Sequence, residues 1–388
     1  MDAKPNSHTR LIAFYLPQFH PIPENDEWWG KGFTEWTNVA KAKPLFPGHY
    51  QPHIPGDLGF YDLRLPETRV AQAELAQKYG IEGFCYYHYW FRGKRLLERP
   101  FNEVLASGEP NFPFCLNWAN ESWSRRWLGE EKEILQEQTY SPEDDLNHAR
   151  WLLKAFSDSR YIRVQNRPLF LIYRPTHIPD PRRTMETIRN VCLKSGIPEP
   201  FMVGVNSHCP YVDCRKIGFD ATLNFEPHLF VLEYFMDDRM RFSKLRRNLH
   251  FRVISPKLKI YDYCDARRRM LHVKRDFPVI PSICVGWDNS PRRGENGIIL
   301  HDSTPQVFES GLRDMIVSVE QKPYDERLVF LDAWNEWAEG NHLEPDLKYG
   351  LGYLEAVRRA NVPPQDEIIT FEATVPPIPG GERAITVA

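Results

Sequence analysis

The stretch "RLVFLDAWNEWAEGNHLEP" (327–345) changes character part-way along. Leu328 to Leu331 form an apolar run of the kind buried on both faces of a parallel sheet. From Asp332 the chain carries three Glu, two Trp and two Asn within fourteen positions. A strand ending abruptly in such residues fits a barrel strand that delivers side chains to a working face.

Working outward, the same switch recurs in seven earlier runs, at 10–19, 81–91, 112–120, 167–175, 200–208, 218–227 and 277–290. Their ends read "YLPQFH", "YYHYWF", "LNWANESW", "IYRPTH", "VNSH", "NFEP" and "GWDNS". Helical patterns at 69–80, 142–158, 181–196 and 304–321 separate several of them, and Pro142 with the acids after it suits a helix start. Eight strands alternating with helices predict a (β/α)8 TIM-like barrel with long βα loops over residues 9–360. A doubly wound sheet would show a Gly-rich phosphate turn after its first strand, and none occurs. The Pro- and Gly-rich residues 361–388 are expected as a short C-terminal extension.

The formal charge of −3 gives no global attraction to nucleic acid, and no reader motif appears. The seven Cys lack a C-x-x-C spacing and sit largely in apolar strands, so buried thiols are expected rather than a metal site or disulfide framework. No cofactor is implied. The start has no signal-peptide pattern and no apolar run is long enough to span a bilayer. Cytoplasmic residence is the expectation, with periplasmic or secreted the alternative if a native leader is missing.

Glu336 and Glu339 at the last strand's exit supply the two carboxyls that glycosidic bond cleavage needs. Trp334 and Trp337 could form platforms for sugar rings and raise the pKa of one Glu. The competing reading is an ordinary helix start, where Glu is favoured by the dipole.

Around these residues, "WNEWAEGNHLEP" resembles the signature of glycoside hydrolase family 99, the endo-α-mannosidases and endo-α-mannanases. The chain is still more similar to WbsX-type proteins, which carry a related domain and occur in bacterial polysaccharide clusters. That likeness also covers residues 13–63, "GIEGFCYYHYWF" (80–91) and "FCLNWANESWSRRW" (114–127). The resemblance implies a (β/α)8 barrel and a metal-free retaining mechanism. In it Glu336 acts as base on the sugar 2-hydroxyl, and Glu339 protonates the leaving oxygen and then activates water. The loop "WWGKGFTEW" (28–36) is a WbsX feature, so the sugar itself does not carry over.

Candidate substrate contacts are Trp36, His88, Asn117, Trp118, Asn206, His208, Glu226, Trp287, Trp334 and Asn335. Each has a plainer reading: Trp28 and Trp36 as a plug at the barrel rim, His88 as a satisfied core histidine, Glu121 as a helix cap. Glu35 is a further carboxylate for sugar hydroxyls, and Glu226 a rival acid–base group. Residues 239–275 carry thirteen Lys and Arg against two Asp, which suits a solvated surface or attraction to an anionic glycan, a lipid-linked carrier or a membrane surface.

The expected activity is that of a retaining, endo-acting glycoside hydrolase or transglycosylase on a bacterial oligosaccharide or polysaccharide. A WbsX-type glycosyltransferase and a non-catalytic glycan-binding barrel are the alternatives. The absence of an Asp-x-Asp sequence weighs against a metal-dependent nucleotide-sugar transferase.

Overall fold

The computed structural model describes residues 9–125, 130–207, 210–235 and 257–362. Eight strands form the barrel: β1 (Arg10–Tyr15), β2 (Gly83–Phe91), β3 (Phe114–Trp118), β4 (Arg167–Ile172), β5 (Phe201–Asn206), β6 (Ala221–Asn224), β7 (Ile280–Cys284) and β8 (Leu328–Asp332). Neighbours pair in parallel around the ring. β1 closes it by pairing with both β8 (Ala13 with Leu331) and β2 (Tyr15 with Tyr86).

Alternation along the strands sorts the aromatics into two layers. Phe14 meets Tyr87, Phe225 and Phe330 inside the ring. Tyr15, Phe84 and Tyr86 turn the other way, where Tyr15 Oη donates to Gln72 of helix Pro66–Lys78 and Tyr86 meets Phe101 of helix Arg99–Ser107. Three outer helices start with a cap followed by proline. Ser141, Asp180 and Thr304 accept from the backbone N–H three residues on, ahead of Pro142, Pro181 and Pro305.

The strands stop earlier than the apolar runs suggest. β7 ends at Cys284, and Trp287–Asp288 pairs instead with Ile298–His301 in a small sheet that also includes Lys259–Asp262. The sequence reading missed this sheet because its strands have two to four residues, too short for a periodic signal. At the far side, Asn361 of the last described helix (Gly352–Asn361) both donates to Thr9 O (2.9 Å) and accepts from Thr9 N (3.1 Å). The extension beyond residue 362 and the basic residues 239–256 lie outside the described residues. No helix among those described is long and apolar enough to cross a membrane.

Gly83 at the start of β2 tests the ring's tightness. A Cβ there would sit 2.4 Å from Pro113 O and 2.9 Å from Ile162 Cδ1, and the first of these is backbone. Gly83→Ala is expected to cost about 1–3 kcal/mol through forced backbone movement. Urea unfolding checks this; an unchanged midpoint would mean the strands can part there at no cost.

Candidate active site

A cavity of about 260 Å³ opens at the carboxyl ends of the strands. Among the described residues, every strand exit except that of β5 contributes to its wall. Glu336, Glu339 and Asp332 come from β8, Trp287 and Arg292 from the segment after β7, and Tyr87 and Tyr89 from β2.

The β8 exit is a short hairpin, Asn335–Glu336 pairing antiparallel with Asn341–His342. Two asparagines fix it. Asn335 Oδ1 accepts from Leu16 N (2.7 Å) and its Nδ2 donates to Leu16 O (3.0 Å), which ties the hairpin to the exit of β1. Asn341 Oδ1 accepts from Val285 N (3.0 Å) and Gly286 N (3.3 Å), which ties it to the exit of β7. Gly340 closes the turn at φ 58°, and a Cβ there would meet Asp288 Cβ at 3.0 Å. Glu344 accepts from Tyr61 Oη, Gln72 Nε2 and Trp337 Nε1 at 2.6–2.7 Å, so the third glutamate of the stretch is a buried brace.

The hairpin thus delivers Glu336 and Glu339 to one guanidinium. Arg292 Nη2 lies 3.1 Å from Glu336 Oε2, its Nη1 2.5 Å from Glu339 Oε1, and its Nε 2.7 Å from Glu35 Oε1. The Glu35 side chain is fully buried, and those of Arg292 and Glu336 are each 9% exposed. Three carboxyls contact this one cation and Asp332 lies beside two of them, so complete ionisation would leave a large uncompensated negative charge in a buried site. Burial, opposed by Arg292, raises Glu336 to about 8 and also pushes Glu339 up. Burial and then repulsion from Glu336 and Glu339 hold Asp332 well above the ordinary carboxyl range. Burial lowers the Arg292 guanidinium, but Glu35, Glu339 and Glu336 outweigh it and raise the group.

Aromatic walls face this group: Tyr87, Tyr89, Tyr173, Trp29, Trp123 and Trp287. Glu121 lies on the rim and accepts from Arg174 Nε at 2.7 Å. Flat apolar faces around buried acid–base groups suit a ligand with C–H faces and hydroxyl edges.

The sequence profile described as Glycosyltransferase WbsX matches residues 11–357. The chain belongs to the WbsX family. Two relatives, each called uncharacterized protein WxcX, come from Xanthomonas campestris pv. campestris strains B100 and ATCC 33913. Each is 43% identical over 354 residues, covering 90% of this chain and 49% of the relative. The WbsX-family chain therefore spans about half the length of the curated relatives it matches. Its fold is similar to that of a glycoside hydrolase-like protein (TM-score 0.52, 16% identity, 92% of this chain and 94% of the other). It is also similar to the GH99 endo-alpha-mannosidase from Bacteroides thetaiotaomicron (TM-score 0.51, 13% identity, 90% and 96%). At these identities the likeness is one of fold.

In this WbsX-family chain the candidate residues separate clearly. Glu336, Glu339 and Trp287 line the cavity. Asn335 is the strap described above. Trp334 and Trp337 are not sugar platforms: both are buried in the core, Trp334 against Phe84 and Trp337 stacked on His342. Trp36 packs among Phe19, Tyr61 and Trp337 and plugs the rim, whereas its loop neighbour Trp29 forms wall. His88 and Trp118 face the outer layer, where His88 stacks on Trp151 and both meet His148 of helix Pro142–Phe156. Strand alternation decides this, since Tyr87 and Tyr89 take the inward positions of β2. Asn117 is in register with Tyr87 but buried below the cavity. Asn206 is spent on Val212 O, to which its Nδ2 donates at 2.8 Å. Glu226 is fully buried behind the wall, where desolvation raises it to about 8. His208 lies outside the described residues.

Arg292, Asp332, Tyr89, Tyr173 and Trp123 were not singled out as candidates from the sequence. Arg292 follows "GWDNS" by two residues, and a cation just past a polar strand exit was the available signal.

Proposed function

We propose that this chain acts on the glycosidic bond of an oligosaccharide or polysaccharide, by hydrolysis or transglycosylation, with Glu336 and Glu339 as its acid–base pair. One observation carries the reading: both carboxyls of one braced hairpin enter a single aromatic cavity under a shared guanidinium. Two such groups can protonate a leaving oxygen and remove a proton from the attacking hydroxyl. The family 99 resemblance gives the base role to Glu336 and the acid role to Glu339. In the free site burial raises both carboxyls against the same guanidinium, so electrostatics alone do not divide the two roles between them.

The family's description supports a second reading, glycosyl transfer from an activated donor. The cavity's charge argues against a donor diphosphate beside the pair, since Arg292 is already shared by Glu35, Glu336 and Glu339, and burial with mutual repulsion already holds Asp332 up. The same charge favours a neutral ring over an anionic one at the pair itself. A panel of bacterial glycans, incubated with and without nucleotide sugars and read by mass spectrometry, tests the proposal. Donor-independent cleavage or chain exchange is expected. Extension seen only with a nucleotide sugar establishes transfer instead, and retention without any product leaves a binding barrel.

A further inference from the structure

Beside the Glu336–His342 hairpin lies a second cavity, of about 100 Å³, lined by Gly340 and His342 of that hairpin. There His53 Nδ1 and His342 Nε2 face each other at 2.8 Å, and a carboxylate oxygen of Asp346 lies within 4.8 Å of both. These residues come from the long loop after β1 and from the loop after β8.

We propose that His53, His342 and Asp346 bind a divalent first-row transition metal ion that pins the two loops together. The ring nitrogens are prepared for this. His342 Nδ1 donates to Glu344 O at 2.9 Å, so the neutral ring carries its lone pair on Nε2, facing His53. His53 presents Nδ1 once its proton moves to Nε2, a tautomer change with no net charge.

Both rings are clamped, His342 against Trp337 (centroids 3.7 Å) and His53 against Tyr50 (4.1 Å). The preceding loop is fixed independently, since Asp288 Oδ2 bonds His49 Nε2 at 2.7 Å and Gln51 Nε2 at 2.6 Å. Asp346 Oδ1 accepts from Lys348 N and Tyr349 N, which orients the carboxylate. The Lys348 ammonium rests over the Tyr50 and Tyr349 rings at 4.4 and 4.7 Å from their centroids, which makes the site less acidic than its ligands alone suggest.

Two ligands at about 2.0–2.1 Å from one metal stand about 2.9–3.4 Å apart, so the hydrogen-bonded nitrogens at 2.8 Å need part only slightly to admit an ion. Two imidazoles and one carboxylate favour Ni²⁺, Co²⁺ or Zn²⁺ over Mg²⁺ or Ca²⁺. The site is separate from the catalytic cavity, and the inference stands whichever glycan reaction the chain performs.

The test uses the untagged full chain, stripped with chelator and then given Ni²⁺, Co²⁺, Zn²⁺ or Mg²⁺ separately. Metal retained after gel filtration is counted by mass spectrometry, and Tm is measured with and without ion. Expected are one equivalent of Ni²⁺, Co²⁺ or Zn²⁺ and a raised Tm, with no response to Mg²⁺. In His53→Ala, and in His53→Phe, which keeps the ring against Tyr50, binding should weaken at least tenfold. No retained ion in the parent, or equal retention in a folded His53 variant, means the two rings share only a hydrogen bond and overturns the proposal.

Discussion

Glu339→Gln is expected to lower turnover of a glycan substrate by about 10²–10⁴-fold while leaving its binding within a few-fold. The amide keeps the size of the carboxyl and can still meet Arg292, but it can neither give nor take the proton. Glu336→Gln should cause a loss of similar size, and the two variants should lose different limbs of the pH–rate profile. If Glu339 is the acid, its Gln variant loses the alkaline limb and recovers on a substrate whose leaving group needs no proton. If Glu336 is the acid, that recovery belongs to Glu336→Gln. A sugar lacking the 2-hydroxyl should not react by the neighbouring-group route. Parental rates in both Gln variants on a verified substrate would remove the pair from the mechanism.

Arg292→Met should be the most destabilising change in the site, by about 3–5 kcal/mol at pH 7, because it leaves buried carboxyls without their counter-ion. The loss should depend on pH in a definite direction. A carboxyl raised in the folded state contributes most to stability below its unfolded value, near 4.5 for Glu336. That contribution fades as pH rises toward the folded value, about 8. The slope is at most about 1.4 kcal/mol per pH unit for each proton. Removing the guanidinium raises the folded values further, so the variant should be penalised less at pH 5 than at pH 7. Urea unfolding of both proteins at the two pH values measures this. An equal loss at both would show that Arg292 acts through packing and that the carboxyls are not coupled to it.

How much of this was legible depends on what each signal reports. Pro142, Pro181 and Pro305 announce helix starts because the capping group and the missing N–H act within one turn. Glu336 and Glu339 stood out because both leave the same strand exit. The error at Trp334 and Trp337 has the opposite origin: an indole beside a cavity carboxyl in sequence need not be beside it in space. The hairpin turns both rings into the core and leaves the cavity walls to Tyr87, Tyr89, Trp29 and Trp123. His88 and Trp118 failed for a related reason, since "YYHYW" offers aromatics at both parities and only pairing in the ring chooses the inward set.

The sequence by itself determined the alternation of apolar strands and helices, the closure into a barrel that follows from eight such units, and the strand exit that holds the acid pair. These depend on local periodicity and on burial, which neighbouring residues express directly. Tertiary structure alone decided that Arg292 joins Glu35, Glu336 and Glu339, and that His53 meets His342 across 289 positions of chain. Charge and ligand geometry act over a few ångströms of space, and separation along the chain carries almost no record of that distance.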